Sequence, residues 1–226
     1  MDLQRLFPQL PGPRTGPVDL DAESVRWRQA HRDDFPAGGP NPLLDPRVCQ
    51  RFIDGIHRER GLDWSYGGYL EDRSRLWAGS YLDAAGNYLH LGVDFHVPPG
   101  TPVATPVAAT VMMVDDDHDA DGGWGPRVFV QPSGPDLSGV VLLFAHLRDV
   151  RRPVGTVLAP GTVLAEVGGP PANGNWAPHL HVQAVAKPYF EEILLDRFHE
   201  LDGYGCAGQR EELARLFPDP LAFLFS

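Results

Sequence analysis

Between Ser65 and Lys187 the chain is a succession of short apolar runs cut apart at close intervals by Gly and Pro. YLHLGVDF, TPVATPVAATVMMV, RVFVQP, VVLLFAHL, GTVLAEVG and LHVQAVA are rich in Val and Leu, and no sustained helical period runs through them. Frequent turns without long helices predict a mainly β core.

The flanks read differently. Residues 1–44 are rich in Pro, Gly and charge and predict an arm wrapped over the core, with a short helix at Asp21–His31. Asp45-Pro46 starts a clearer helix, with Asp as the cap and Pro in the first turn. Val48, Phe52, Ile53 and Ile56 form its apolar stripe, and His57, Arg58 and Arg60 suit its negative end before Gly61 stops it. His57 is therefore read as a helix-end residue. After Pro188 the helical period returns with Phe190, Ile193, Leu194 and Phe198 and closes at Gly203 and Gly205; a second short helix is expected at Arg210–Phe217. The expected organisation is an N-terminal extension (1–64), a core (65–187) and a C-terminal helical tail (188–226).

Charge narrows the function. Thirty acidic against 19 basic residues give a net charge of −11, which argues against nucleic acid as a partner. No apolar run approaches the roughly 20 residues needed to cross a bilayer, and no basic amphipathic stretch suits a membrane surface. MDLQRLFPQLPGPRTGP has no basic segment followed by an apolar one, so cytoplasmic residence is the default expectation, with export by another route left open. Cys49 and Cys206 lie far apart without a CxxC pattern and are expected as free thiols. Oligomeric state is not legible.

Five polar residues interrupt the apolar runs: His90, Asp94, His146, His179 and His181. Burying such groups is costly unless something pairs with them, and a zinc ion would. Alternation along a strand puts His179 and His181 on one face, and likewise His90, Gly92 and Asp94, with Gly92 leaving space for a metal. His146 ends its run, where a side chain can reach a cleft. A catalytic zinc needs three protein ligands and one open position, which two His and one Asp would satisfy. Two further His would then handle protons and a developing oxyanion. Spacing does not say which His stays free.

The order His90-Leu-Gly-Val-Asp94, Ala145-His146-Leu147, His179-Leu180-His181 resembles the H-x-x-x-D, H and H-x-H motifs of the lysostaphin/LytM-type zinc metallopeptidases. PPGTPVATPVAATV, GGWGPRVFV, GTVLAPGTVLAEVG and NGNWAPHLHVQ resemble that family's other segments, and the likeness covers about Tyr66 to Ala186. It implies a compact antiparallel β-sheet or sandwich-like core binding one Zn2+ per chain through His90, Asp94 and His181, with His146 and His179 as the unligated catalytic pair. The implied activity is metallo-endopeptidase hydrolysis by metal-activated water, on a peptide or peptidoglycan-derived substrate. No serine or cysteine nucleophile motif competes. GGYLEDRSRLW resembles the stretch before HxxxD in some members, and Tyr69, Glu71 and Arg73 are expected to line the substrate cleft.

Plainer readings hold elsewhere. His96, which shares the strand parity of Asp94, is expected as a turn residue before Pro98-Pro99, with a supporting place behind the site as the alternative, and His31 and His199 are expected as surface or packing residues. Asp115–Gly123, with His118, imitates the start of a calcium loop, but Val128 stands where the bidentate Glu belongs, so a solvated hairpin is expected. Trp124 and Trp176 flank motif segments and are expected as packing aromatics, with cleft walls as the alternative. The alternative functions are a non-catalytic peptide- or glycopeptide-binding module on the same fold and a cytosolic amide hydrolase. In the first, residues 1–44 would occlude the cleft.

Overall fold

The computed structural model describes residues 3–12, 14–34, 39–117, 119, 122–134 and 137–224. Its strands are β1 (Thr15–Pro17), β2 (Trp64–Gly67), β3 (Leu89–His90), β4 (Val93–His96), β5 (Pro102–Ala104), β6 (Ala109–Asp117), β7 (Gly125–Pro132), β8 (Val140–Ala145), β9 (Leu147–Arg148), β10 (Val157–Leu158), β11 (Val163–Val167), β12 (Leu180–Ala186) and β13 (Tyr204–Gly205). Its α-helices are α1 (Leu20–Ala30), α2 (Pro46–Arg60), α3 (Lys187–Asp196), α4 (Arg210–Leu216) and α5 (Leu221–Leu224). None of them is long and apolar enough to cross a membrane.

The main sheet runs β1-β2-β4-β12-β8-β7-β6-β10, with a three-stranded sheet β5-β11-β9 and a pair β13-β3 beside it. The mainly β reading is borne out. Pairing is antiparallel except at the edge, where β1 runs parallel to β2. YLHLGVDF is not one strand: β3 pairs with β13 and β4 with β2 and β12, so the run splits between two sheets. TPVATPVAATVMMV divides likewise into β5 and β6.

Alternation gives the central strands two working faces. Val93, Phe95, Leu180, Val182, Leu142 and Phe144 point into the larger core, which the β5-β11-β9 sheet closes through Val103, Leu147, Leu164 and Val167. Val141, Leu143, Ala145 and Val185 point the other way, under Phe190 and Ile193 of α3 and under Leu201 and Phe217. Asp94 and His181 occupy that second face, directly opposite each other across the β4–β12 ladder. The second face is therefore apolar where helices cover it and polar where they do not.

The flanks are built into the core. Leu6 and Phe7 are fully buried in the larger core, Phe7 meets Trp64 and Phe95 edge to face, and Ala104 N donates to Leu6 O at 2.9 Å. Asp45 caps α2 by accepting from Arg47 N and Val48 N, and Gly61 ends it in a left-handed conformation (φ 64°), as expected from the sequence. Asp19 caps α1. α3 and α4 form near their expected positions, with Leu194 exposed rather than on the buried stripe. The C-terminal segment is more than a helical tail, because β13 pairs with β3 beside His90.

Candidate metal centre

His90, Asp94 and His181 come together although 91 residues separate the first from the last. His90 Nε2 lies 3.1 Å from His181 Nδ1, and Asp94 Oδ1 lies 3.0 Å from His181 Nδ1 and 3.5 Å from His90 Nε2. All three residues are buried. Among the described residues this is the one cluster with metal-ligand spacing.

Hydrogen bonding fixes the protons. His90 Nδ1–H donates to Gly68 O at 3.0 Å, which leaves Nε2 with a bare lone pair. Gln183 Nε2 donates to Asp202 O, so Gln183 Oε1 is free to accept from His181 Nε2–H at 3.0 Å, leaving Nδ1 bare. Two bare imidazole nitrogens and a carboxylate oxygen therefore face one another with no proton among them. A cation resolves that repulsion. Tetrahedral zinc with bonds of about 2.0–2.1 Å wants ligand atoms roughly 3.3 Å apart, and this triangle matches. Burial, with Arg73 next, lowers the His90 pKa to about 3, so it stays neutral as a ligand must. Burial alone would raise Asp94, but the Arg73 guanidinium on its Oδ2 overcomes it and holds the carboxylate well below its usual range.

Gly92 does not leave a void for the metal. A Cβ there would stand 2.5 Å from the His181 ring, so its bareness makes room for His181 itself.

His179 and His146 adjoin the triad. His179 Nδ1–H donates to Ala177 O at 2.8 Å, leaving Nε2 bare and 3.7 Å from Asp94 Oδ1. The His146 ring centroid lies 4.3 Å from that of His179, and its Nδ1 has no hydrogen-bond partner. His146 sits between β8 and β9 at φ 60°, an unusual conformation for a side-chain-bearing residue and of the kind that collects at functional sites. Burial lowers both pKa values, most strongly for His146. Trp176 packs edge-on to His179 and Trp124 stacks beside His146, so both tryptophans, expected as packing residues, form walls of the site.

These groups open into a cavity of about 460 Å³. Among the described residues, Leu44 is the sole contribution of the N-terminal arm to its lining, which does not support occlusion by that arm. Tyr69, Glu71 and Arg73 do not line it. Tyr69 Oη donates to Phe217 O, away from the triad. Arg73 is fully buried behind the triad, where Nη1 donates to Asp94 Oδ2 at 2.6 Å and to Tyr204 Oη at 3.3 Å, while Nε donates to Glu71 Oε2. Glu71 in turn accepts from Asp21 N at the start of α1. Sequence reading missed these supports. Gln183 was findable, because it shares strand parity with His179 and His181; Tyr204 and Asp202 gave no signal, since only long-range pairing brings them here.

The remaining histidines are elsewhere. His96 is a buried strand residue rather than a turn residue; its Nδ1 bonds to Ser65 Oγ, which also bonds to His57 Nε2. His31 stacks on Trp27 and His199 is exposed. In the acidic hairpin, Asp117 accepts from Asp119 N and Trp124 N; His118 and Asp121 lie outside the described residues. Cys49 and Cys206 are both free.

Residues 88–189 match the model of peptidase family M23, which bears out the resemblance read from the motifs. Among solved structures, an M23-type protein from Pseudomonas aeruginosa is 32% identical over 42% of this chain and 37% of its own, with a TM-score of 0.36. The lysostaphin catalytic domain from Staphylococcus simulans is 21% identical over 62% of this chain and 81% of its own, with a TM-score of 0.41. A zinc-containing peptidase from Vibrio cholerae is 24% identical over 44% and 28%, with a TM-score of 0.37. No curated protein matches.

Proposed function

We propose, from the match of residues 88–189 to the model of peptidase family M23, that this protein is a zinc-dependent metallo-endopeptidase. The observation that supports it most is the convergence of three unprotonated donors, His90 Nε2, Asp94 Oδ1 and His181 Nδ1, beside two neutral imidazoles that none of the three needs. Zinc held there would polarise a peptide carbonyl and acidify a water at its open position.

The chain's own residues would do the rest. His179 Nε2, its other nitrogen committed to Ala177 O, takes the proton of the attacking water. His146 offers an N–H to the developing oxyanion, and the proton that His179 has taken passes to the leaving amine. Trp124 and Trp176 keep both rings in place and limit water. No covalent enzyme intermediate is required. The substrate class is a short peptide, with peptidoglycan-type peptides as the first candidates because the motif set resembles lysostaphin/LytM-type enzymes.

The test is a digest of a mixed peptide and muropeptide library by the zinc-loaded protein, read by mass spectrometry, beside His179→Ala, His146→Ala and a chelated sample. Cleavage should vanish with chelation and fall by roughly 10²–10⁴-fold in either variant. Intact peptides throughout, with zinc bound, would favour a non-catalytic binding module. Cleavage that survives chelation would refute the mechanism.

A further inference from the structure

The hydrolytic reading leaves one charged group of the cavity unused. Asp202 lines it from the loop ahead of β13, outside the segment matched to the family. Its Oδ1 accepts from Tyr204 N at 3.1 Å, so the carboxylate is pinned by its own turn. Its backbone is tied to the metal triad: Asp202 O accepts from Gln183 Nε2 at 3.2 Å, and Gln183 Oε1 holds His181. The next residue abuts the same ligand, because a Cβ on Gly203 would lie 3.3 Å from the Trp124 ring and 3.8 Å from His181 Cε1.

Among the described residues no Lys or Arg pairs with this carboxylate and none lines the cavity, and the other lining carboxylate, Asp94, is already matched by Arg73 and by the metal site. Two further lining residues, Tyr81 and Trp124, are aromatic, and aromatic faces attract cations. A carboxylate held in an aromatic cleft favours an ammonium group and repels another carboxylate.

We infer that Asp202 is a specificity-determining substrate contact, selecting peptides that present an ammonium group next to the bond to be cut. That group is either the side chain of a lysine-type diamino residue or a free α-amino end; both offer the same N–H donors and charge. The inference rests on the metallopeptidase reading of the site.

The experiment measures binding without turnover. Zinc-loaded His146→Ala protein, with and without Asp202→Asn, is titrated by tryptophan fluorescence with three matched peptides. One carries a free lysine side chain and an acetylated amino end, one an acetylated lysine and a free amino end, and one has both amines acetylated. Asparagine keeps the oxygen that accepts from Tyr204 N, so the turn is preserved. At least one amine-bearing peptide should bind about tenfold tighter than the fully acetylated one, and Asp202→Asn should close that gap. The gap should also shrink at high salt in the protein that retains Asp202, which needs no change at that residue. Which amine gives the advantage identifies the source. Equal binding of all three, a gap that persists in Asp202→Asn, or no binding at all would overturn the inference. Ammonium preference without hydrolysis by the wild-type enzyme would instead refute the peptidase reading, and hydrolysis without preference would refute this inference alone.

Discussion

Arg73 holds a full charge where water does not reach. Burial opposes that charge, but Asp94 and Glu71 more than offset it and keep the guanidinium protonated. Its bond to Asp94 Oδ2 leaves Oδ1 as the oxygen that faces both His90 and His181. Outer partners of this kind orient a ligand and typically change metal affinity by about 10–100-fold when removed. Arg73→Met should therefore weaken zinc binding by about that factor, measured by competition with a chelating dye, and should lower stability by about 3–5 kcal/mol through the unpaired carboxylates it leaves. Arg73→Lys should recover part of the affinity. Unchanged affinity in Arg73→Met would show that Asp94 needs no such support. Gly68 is as constrained: at φ 104° its Cβ would stand 2.1 Å from Arg73 Nη2 and 2.6 Å from His90 Nδ1. Gly68→Ala is expected to abolish zinc binding under the same assay, and retention would mean that this corner can relax.

Elements decide how much of this could be read in advance. β12 was legible because LHVQAVA alternates and its parity puts His179, His181 and Gln183 on one face. α2 was legible from Asp45, Pro46 and Gly61, since caps and stops are local chemistry. β3 and β4 were not, because which partner each half of YLHLGVDF takes depends on β13, 114 residues beyond His90 in the chain. The GGYLEDRSRLW segment suggested cleft residues, and the structure places Arg73 one layer deeper, behind Asp94. The N-terminal arm also differs from a detachable lid. Leu3, Leu6, Phe7 and Val18 are buried, each contributing about 1.5–3 kcal/mol. Deleting residues 1–18 should thus remove most of a typical domain's 5–15 kcal/mol and leave a chain without a cooperative melt. A stable truncated protein with raised activity would restore the occlusion idea.

Across the whole molecule, the metal-free protein carries a predictable acid sensitivity. Burial lowers His90 and His96 to about 3, and lowers His146 and His179 as well. In the unfolded chain these residues titrate near 6.5. Between those values the unfolded chain binds protons that the folded chain does not, so stability falls as pH falls below about 6.5. Asp94, held well below its usual range, acts in the same direction at lower pH. The melting temperature of chelated protein should decline steadily from pH 7 to pH 4.5, and a flat profile would contradict the buried neutral histidines.

The central claim is that His181, not His179, completes the zinc site with His90 and Asp94. Native mass spectrometry of zinc-loaded wild type, His181→Ala and His179→Ala tests it directly. One zinc per chain in the wild type and in His179→Ala, and none in His181→Ala, is the predicted result. Zinc retained by His181→Ala but lost from His179→Ala would contradict it.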